Sequence, residues 1–183
     1  WITLGSSPSF ADVQSTVDAL AAFRSKRMAK EAPAIPADAY AQAEKGELVS
    51  GLEGVDGVSA AKGWGVAVFD IPIEFVWKAV NDEGVYANRL PVSHSEVIAG
   101  RPKRDDRYLF QYMPVPMFDD RWWVTHMRHN GALYKNSAGK IWEQAWTDAS
   151  DTSRLKPPHQ AMIEGSQKVD WTHGSWMLID LGD

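Results

Sequence analysis

The chain contains no cysteine. Disulfide frameworks, thiolate nucleophiles and cysteine-based zinc sites are therefore excluded. The compartment stays open, and cytoplasmic and exported (periplasmic) locations fit equally well. No apolar run approaches the roughly 20 residues that span a bilayer. A stable membrane span is thus not expected, leaving transient membrane contact at most. An excess of positive charge is missing too. The net charge of −5 and the pI near 5.5 argue against a nucleic-acid partner, whose footprint is basic and clustered. The basic run Arg101-Pro-Lys-Arg104 leads straight into Asp105-Asp106-Arg107, a mixture that reads as a solvated hairpin turn.

What the chain does have is tryptophan. Nine Trp in 183 residues are unusual, because each indole needs a packing site and a partner for its N–H. A chain of this length fits one domain that buries about two-thirds of its unfolded surface. The rings build a thick core or wall a cavity.

Residues 1–8 read as a loose leader and Ser9 as a helix cap. Phe10, Val13, Val17, Leu20 and Phe23 then recur at helical spacing, until Pro33 and Pro36 end the pattern. A second helix is predicted from Ala37 to Lys45, closed by Gly46. Glycines 51, 54 and 57 predict short strands and tight turns from Glu47 to Ser59, and Trp64 to Phe69 reads as a strand. Pro72 opens a helix whose apolar face is Ile73, Val76, Trp77 and Val80. Glu74 and Lys78 pair along it, and Asn81-Asp82-Glu83-Gly84 stops it. After Pro91 the period changes to two. Strands are predicted at Val92–Gly100, Arg107–Met113, Arg121–Asn130, Lys140–Thr147 and Gly174–Leu181. Short links holding Pro102, then Pro114 and Pro116, then Asn136 and Gly139, favour an antiparallel meander. Residues 149–170, with Pro157-Pro158, form a partly irregular insertion. The sum is an α+β fold, with helices on one face of a curved antiparallel sheet.

Little in this text carries catalytic chemistry. His126, His129 and His173 are the histidines to test as metal ligands. His126 and His129 point to opposite faces of one strand, and no zincin-type spacing appears, so no metal site is expected. Glu143 and Asp180 read as outer-face carboxylates. Neither a Gly-x-Ser-x-Gly elbow nor a phosphate loop is present. No catalytic residue and no cofactor are assigned. The aromatic strands remain. Parity groups Tyr108, Phe110 and Tyr112, then Trp123, Thr125 and Met127, then Trp142, Gln144 and Trp146.

Four stretches resemble the START-like (SRPBCC, Bet v 1-like) superfamily, which includes lipid-binding START domains and bacterial polyketide cyclases and aromatases. They are Val66-Ala-Val-Phe-Asp-Ile-Pro-Ile-Glu-Phe-Val-Trp-Lys-Ala-Val80, Val92-Ser-His-Ser-Glu-Val-Ile98, Met113-Pro-Val-Pro116 with Asp120-Arg121-Trp-Trp-Val124, and Trp176-Met-Leu-Ile179. The resemblance implies a helix-grip fold, in which a curved antiparallel sheet packs against helices around a hydrophobic cavity. It implies a single domain over 1–183, with a helical segment at 1–46 and the sheet with helix 72–81 at 47–183. The family would add a last strand and a long C-terminal helix after Asp183. Phe110 and Met127 stand where some sterol-binding members hold a buried acid and arginine, which implies a more apolar cavity. The resemblance also turns the first two parity groups inward together. The ligand contacts it implies are Phe110, Tyr112, Trp123, Thr125, Met127, Trp142, Gln144 and Trp146, with Tyr112, Thr125 and Gln144 orienting a polar end. The implied function is binding, with possible transfer, of a hydrophobic small molecule such as a lipid. Two alternatives stay open. One is a cyclase, aromatase or hydrolase on the same fold, which needs an inward titratable group. The other is an interaction module with a filled core.

Overall fold

Alternation after Pro91 produces the strands that organise the molecule. The computed structural model describes residues 13–57, 61–149, 152–169 and 171–182. The expected leader, the Ser9 cap and Phe10 lie outside the described residues. Strands β3 (His94–Ala99), β4 (Arg107–Met113), β5 (Arg121–His129), β6 (Ile141–Asp148) and β8 (Gly174–Ile179) pair antiparallel in the order β3-β4-β5-β6-β8. The two-residue β7 (Gln167–Lys168) runs parallel to β5. All five strands predicted beyond Pro91 are therefore present, and the fold is α+β.

Strands β1 (Val49–Gly54) and β2 (Ala61–Val66) form a separate hairpin. The predicted strand at Trp64–Phe69 thus sits earlier in the chain. Gly51 pairs with Trp64, and a Cβ on Gly51 would lie 2.6 Å from the Trp64 ring. The first predicted helix is broken at Leu20 into α1 (Val13–Ala19) and α2 (Ala21–Arg24). Helix α3 (Ala37–Ala43) precedes Gly46, which takes φ +86°.

Helix α4 (Ile73–Val80) follows Pro72 as expected. The predicted stop at Asn81-Asp82-Glu83-Gly84 is instead a bend into α5 (Glu83–Arg89). Two further helices replace expected turns and loops: α6 (Gly131–Asn136) between β5 and β6, and α7 (Pro157–Ile163) in the insertion. Pro157 and Pro158 begin α7, where a missing N–H costs no intrahelical bond.

Register assigns the faces. Gln111 opposes Trp123, Arg107 opposes Met127, Met127 opposes Trp146 and His129 opposes Gln144, so these side chains share the face that meets α4 and α5. Phe110 opposes Val124, Tyr112 opposes Trp122 and Glu96 opposes Phe110 on the other face. Phe110 and Tyr112 therefore cannot face inward together with Trp123, Thr125 and Met127, and the expected set is split between two faces. The expectation of helices on one face is corrected as well. The second face carries the main core, Phe110, Trp122, Val124, Ala149 and Leu155, covered by Met162 and Ile163 from α7. Beyond it, Val13, Val17 and Tyr40 of the N-terminal helices pack with Ile179 and Leu181.

Candidate functional site

The face toward α4 and α5 holds several rings that lack full cover. Trp77, midway along α4, meets Trp142 edge-on at 5.4 Å between ring centroids and His129 at 4.8 Å. Tyr134 of α6 meets Trp142 edge-on at 5.0 Å. Together with Asn130 and Glu143 they line an open cleft of about 200 Å³. Helix α6 is held there by its cap, because Asn130 Oδ1 accepts the Leu133 N–H at 3.0 Å.

Beside the cleft lies a buried polar network. Arg107 is fully buried, and its guanidinium donates to Glu83, to Asn81 Oδ1 (3.1 Å), to Gln144 Oε1 (2.8 Å) and to the Arg104 carbonyl. The Asn81 amide donates to the Trp77 carbonyl at 2.9 Å, which leaves Oδ1 as its acceptor. His129 Nε2 lies 2.7 Å from that oxygen and 3.3 Å from Arg107 Nη1, and the shorter contact makes it a donor to Asn81. Burial, followed by the Arg107 charge, pushes the His129 pKa below the ordinary histidine value. The ring stands neutral at the cleft edge. Glu83 arrives through α5, and its carboxylate balances an arginine next to the position implied for the sheet interior.

The predicted ligand residues divide accordingly. Trp142 lines the cleft, while Gln144 is buried and occupied by Arg107. Trp123 is half-buried and donates its indole N–H to Gln111 Oε1 at 2.9 Å. Thr125 and Met127 are buried side by side, with Thr125 Oγ1 3.5 Å from Met127 Sδ. Trp146 lies over Gly174, where a Cβ would come within 2.6 Å of the ring. On the opposite face Phe110 is in the core, and the Tyr112 hydroxyl bonds Asp120 in the β4–β5 loop. That bond raises the Tyr112 pKa and lowers that of Asp120.

Glu143, read as an outer-face carboxylate, is 1 % exposed. It accepts the Met28 and Ala29 N–H groups and the Asn130 amide at 2.7–3.2 Å, tying the N-terminal segment to the sheet. Asp180, just past β8, is a partly exposed partner of Lys140. The three histidines tested in the sequence stay apart: His126 stacks on Tyr108 and bonds Asp106, His129 joins the Arg107 network, and His173 lies by Trp171 and Glu31. The structure gathers a different set, His94, Glu96 and His159. Its only sequence signal is His94-x-Glu96, two residues on one face of a strand. No family model, curated protein or solved structure matches this chain.

Proposed function

We propose that the chain binds a hydrophobic small molecule, such as a lipid chain or a fused ring, between α4 and the sheet in a helix-grip arrangement. The observation that carries this reading is incomplete burial on both sides of that interface. The α4 stripe Ile73, Val76, Trp77 and Val80 is aligned as an amphipathic helix requires, yet none of its residues is fully buried. On the sheet face that this helix meets, Trp123 and Trp146 are half-buried and Trp176 is 48 % exposed. An apolar guest removes both surfaces from water at once. Covering ~400 Å² of apolar surface at ~25 cal/mol/Å² gives roughly 10 kcal/mol gross. Association and ordering costs bring this to a micromolar scale. The cleft at Trp77 and Trp142 is about 200 Å³, somewhat larger than an engineered cavity of about 150 Å³ that takes benzene, so by itself it suits a ring or a chain end.

Native mass spectrometry of the purified protein, with organic extraction and a mixed lipid pool, tests the reading. A stoichiometric adduct of lipid-like mass is expected. No adduct and no uptake, with unchanged tryptophan emission, would reject it. A second reading, enzymatic, rests on His129, a neutral imidazole at the cleft edge of the kind general base catalysis uses. It requires that His129→Gln abolish turnover of a bound aromatic or ester substrate while binding persists.

A further inference from the structure

On the opposite side of the sheet from that interface, we propose that His94, Glu96 and His159 bind a divalent transition ion of the zinc type. His94 and Glu96 are two residues apart on β3 and point the same way, and His159 enters from the first turn of α7. The ligating atoms of all three lie within 4.8 Å of one another. Glu96 Oε2 is 3.4 Å from His94 Nε2 and 3.0 Å from His159 Nε2. Tetrahedral zinc with bonds near 2.0–2.1 Å separates its ligand atoms by about 3.3 Å. The carboxylate oxygen therefore already stands at ligand spacing from both rings.

A second observation points the same way. His94 Nε2 is buried and makes no well-formed hydrogen bond; its contact with Glu96 Oε2, at 3.4 Å, is loose. Such an orphaned nitrogen is costly unless something accepts its lone pair or proton. Phe110 closes the inner side, with its ring 4.9 Å from His159 and 5.7 Å from His94. Glu96 is partly exposed and leaves the outer side to solvent. Two imidazoles, one carboxylate and an open fourth position are the donor set of solvent-accessible zinc sites.

One feature sets the strength of binding. His159 Nδ1 accepts the Lys156 N–H at 3.1 Å, so the metal-free ring keeps its proton on Nε2 and gives it to Glu96. An ion can take the Nε2 lone pair only after that proton has moved to Nδ1 and the Lys156 N–H has turned away. Binding competes with a formed hydrogen bond, which weakens it relative to closed structural sites.

The test is a Co²⁺ titration of tag-free, chelator-treated protein, followed by visible absorption, with Zn²⁺ as competitor. One Co²⁺ per chain is expected, with a ligand-field band that Zn²⁺ abolishes. His159 is buried, so its variants report folding as well as ligation, and the partly exposed His94 and Glu96 carry the test. His94→Ala and Glu96→Gln are expected to weaken binding at least about tenfold, the lower end of what loss of an outer partner costs a metal site. His126→Ala, on a different strand and bonded to Asp106, is expected to bind as the parent does. Absence of a stoichiometric band would overturn the proposal, as would equal affinity in the His94 and Glu96 variants.

Discussion

Arg107 shows most directly what one side chain commits the fold to. Its guanidinium is out of water and is held by Glu83, Asn81, Gln144 and a main-chain carbonyl. Arg107→Met keeps the volume but strands the Glu83 carboxylate, and removal of one partner of a buried pair costs about 3–5 kcal/mol. Urea unfolding should show that loss, and adding Glu83→Gln should recover part of it. His129 provides a second test at this scale. Its pKa is lowered in the fold by burial and Arg107, against Asp105, Glu83 and Gln144, which raise it. The unfolded chain therefore takes up that proton first. Stability is unaffected above the ordinary histidine value of about 6.5 and falls as pH drops below it. His129→Gln should flatten this part of the stability profile between pH 7 and 5.

At the scale of elements, the turns around β4 decide which residues share a face. Gly100 ends β3 with φ +84°, and a Cβ there would lie 2.6 Å from the Asp106 carbonyl oxygen and 2.8 Å from Arg107 Cα. Both contacts are backbone and cannot turn away. Gly100→Ala should cost about 1–3 kcal/mol in chemical unfolding, the range of a strained backbone residue. At the other end of β4, Asp120 accepts the Tyr112 hydroxyl and the Val115 N–H, which shapes the β4–β5 loop. The Asp120 pKa is lowered by the Tyr112 bond, so its contribution is present above the ordinary carboxylate range and is lost as pH falls through the lowered value. The Tyr112 pKa is raised, so its contribution is present below about pH 10 and is lost as pH climbs through the raised value. Asp120→Asn should remove the acid limb of this dependence, read as loop protection in hydrogen exchange.

For the whole molecule, the two faces of the sheet do different work. One holds a closed core under α7 and the N-terminal helices; the other meets α4 and α5 with half-covered rings. A ligand that binds only the folded chain stabilises it by about 2.7 kcal/mol at a hundred times its dissociation constant. For a domain of this size that raises Tm by about 5–10 °C. Differential scanning fluorimetry with the extracted ligand should show this shift. Trp142→Ala, opening the cleft wall, should reduce it.

The sequence alone determined the strands after Pro91 and the helix after Pro72. Period-two and period-3.6 patterns of apolar residues are local and survive any tertiary arrangement. It also determined that His126 and His129 would part, since strand alternation suffices for that. It did not determine which parity groups meet. That depends on the register across the 114–120 loop, where a slip of one residue exchanges the faces of a whole strand. Only the tertiary structure brought Glu83 to Arg107, Glu143 to the N-terminal segment and His159 to His94 and Glu96. Each of these pairings joins residues far apart in the chain through elements whose placement is set by packing. A buried charge has no local pattern, because what makes its burial tolerable is a partner from elsewhere in the fold.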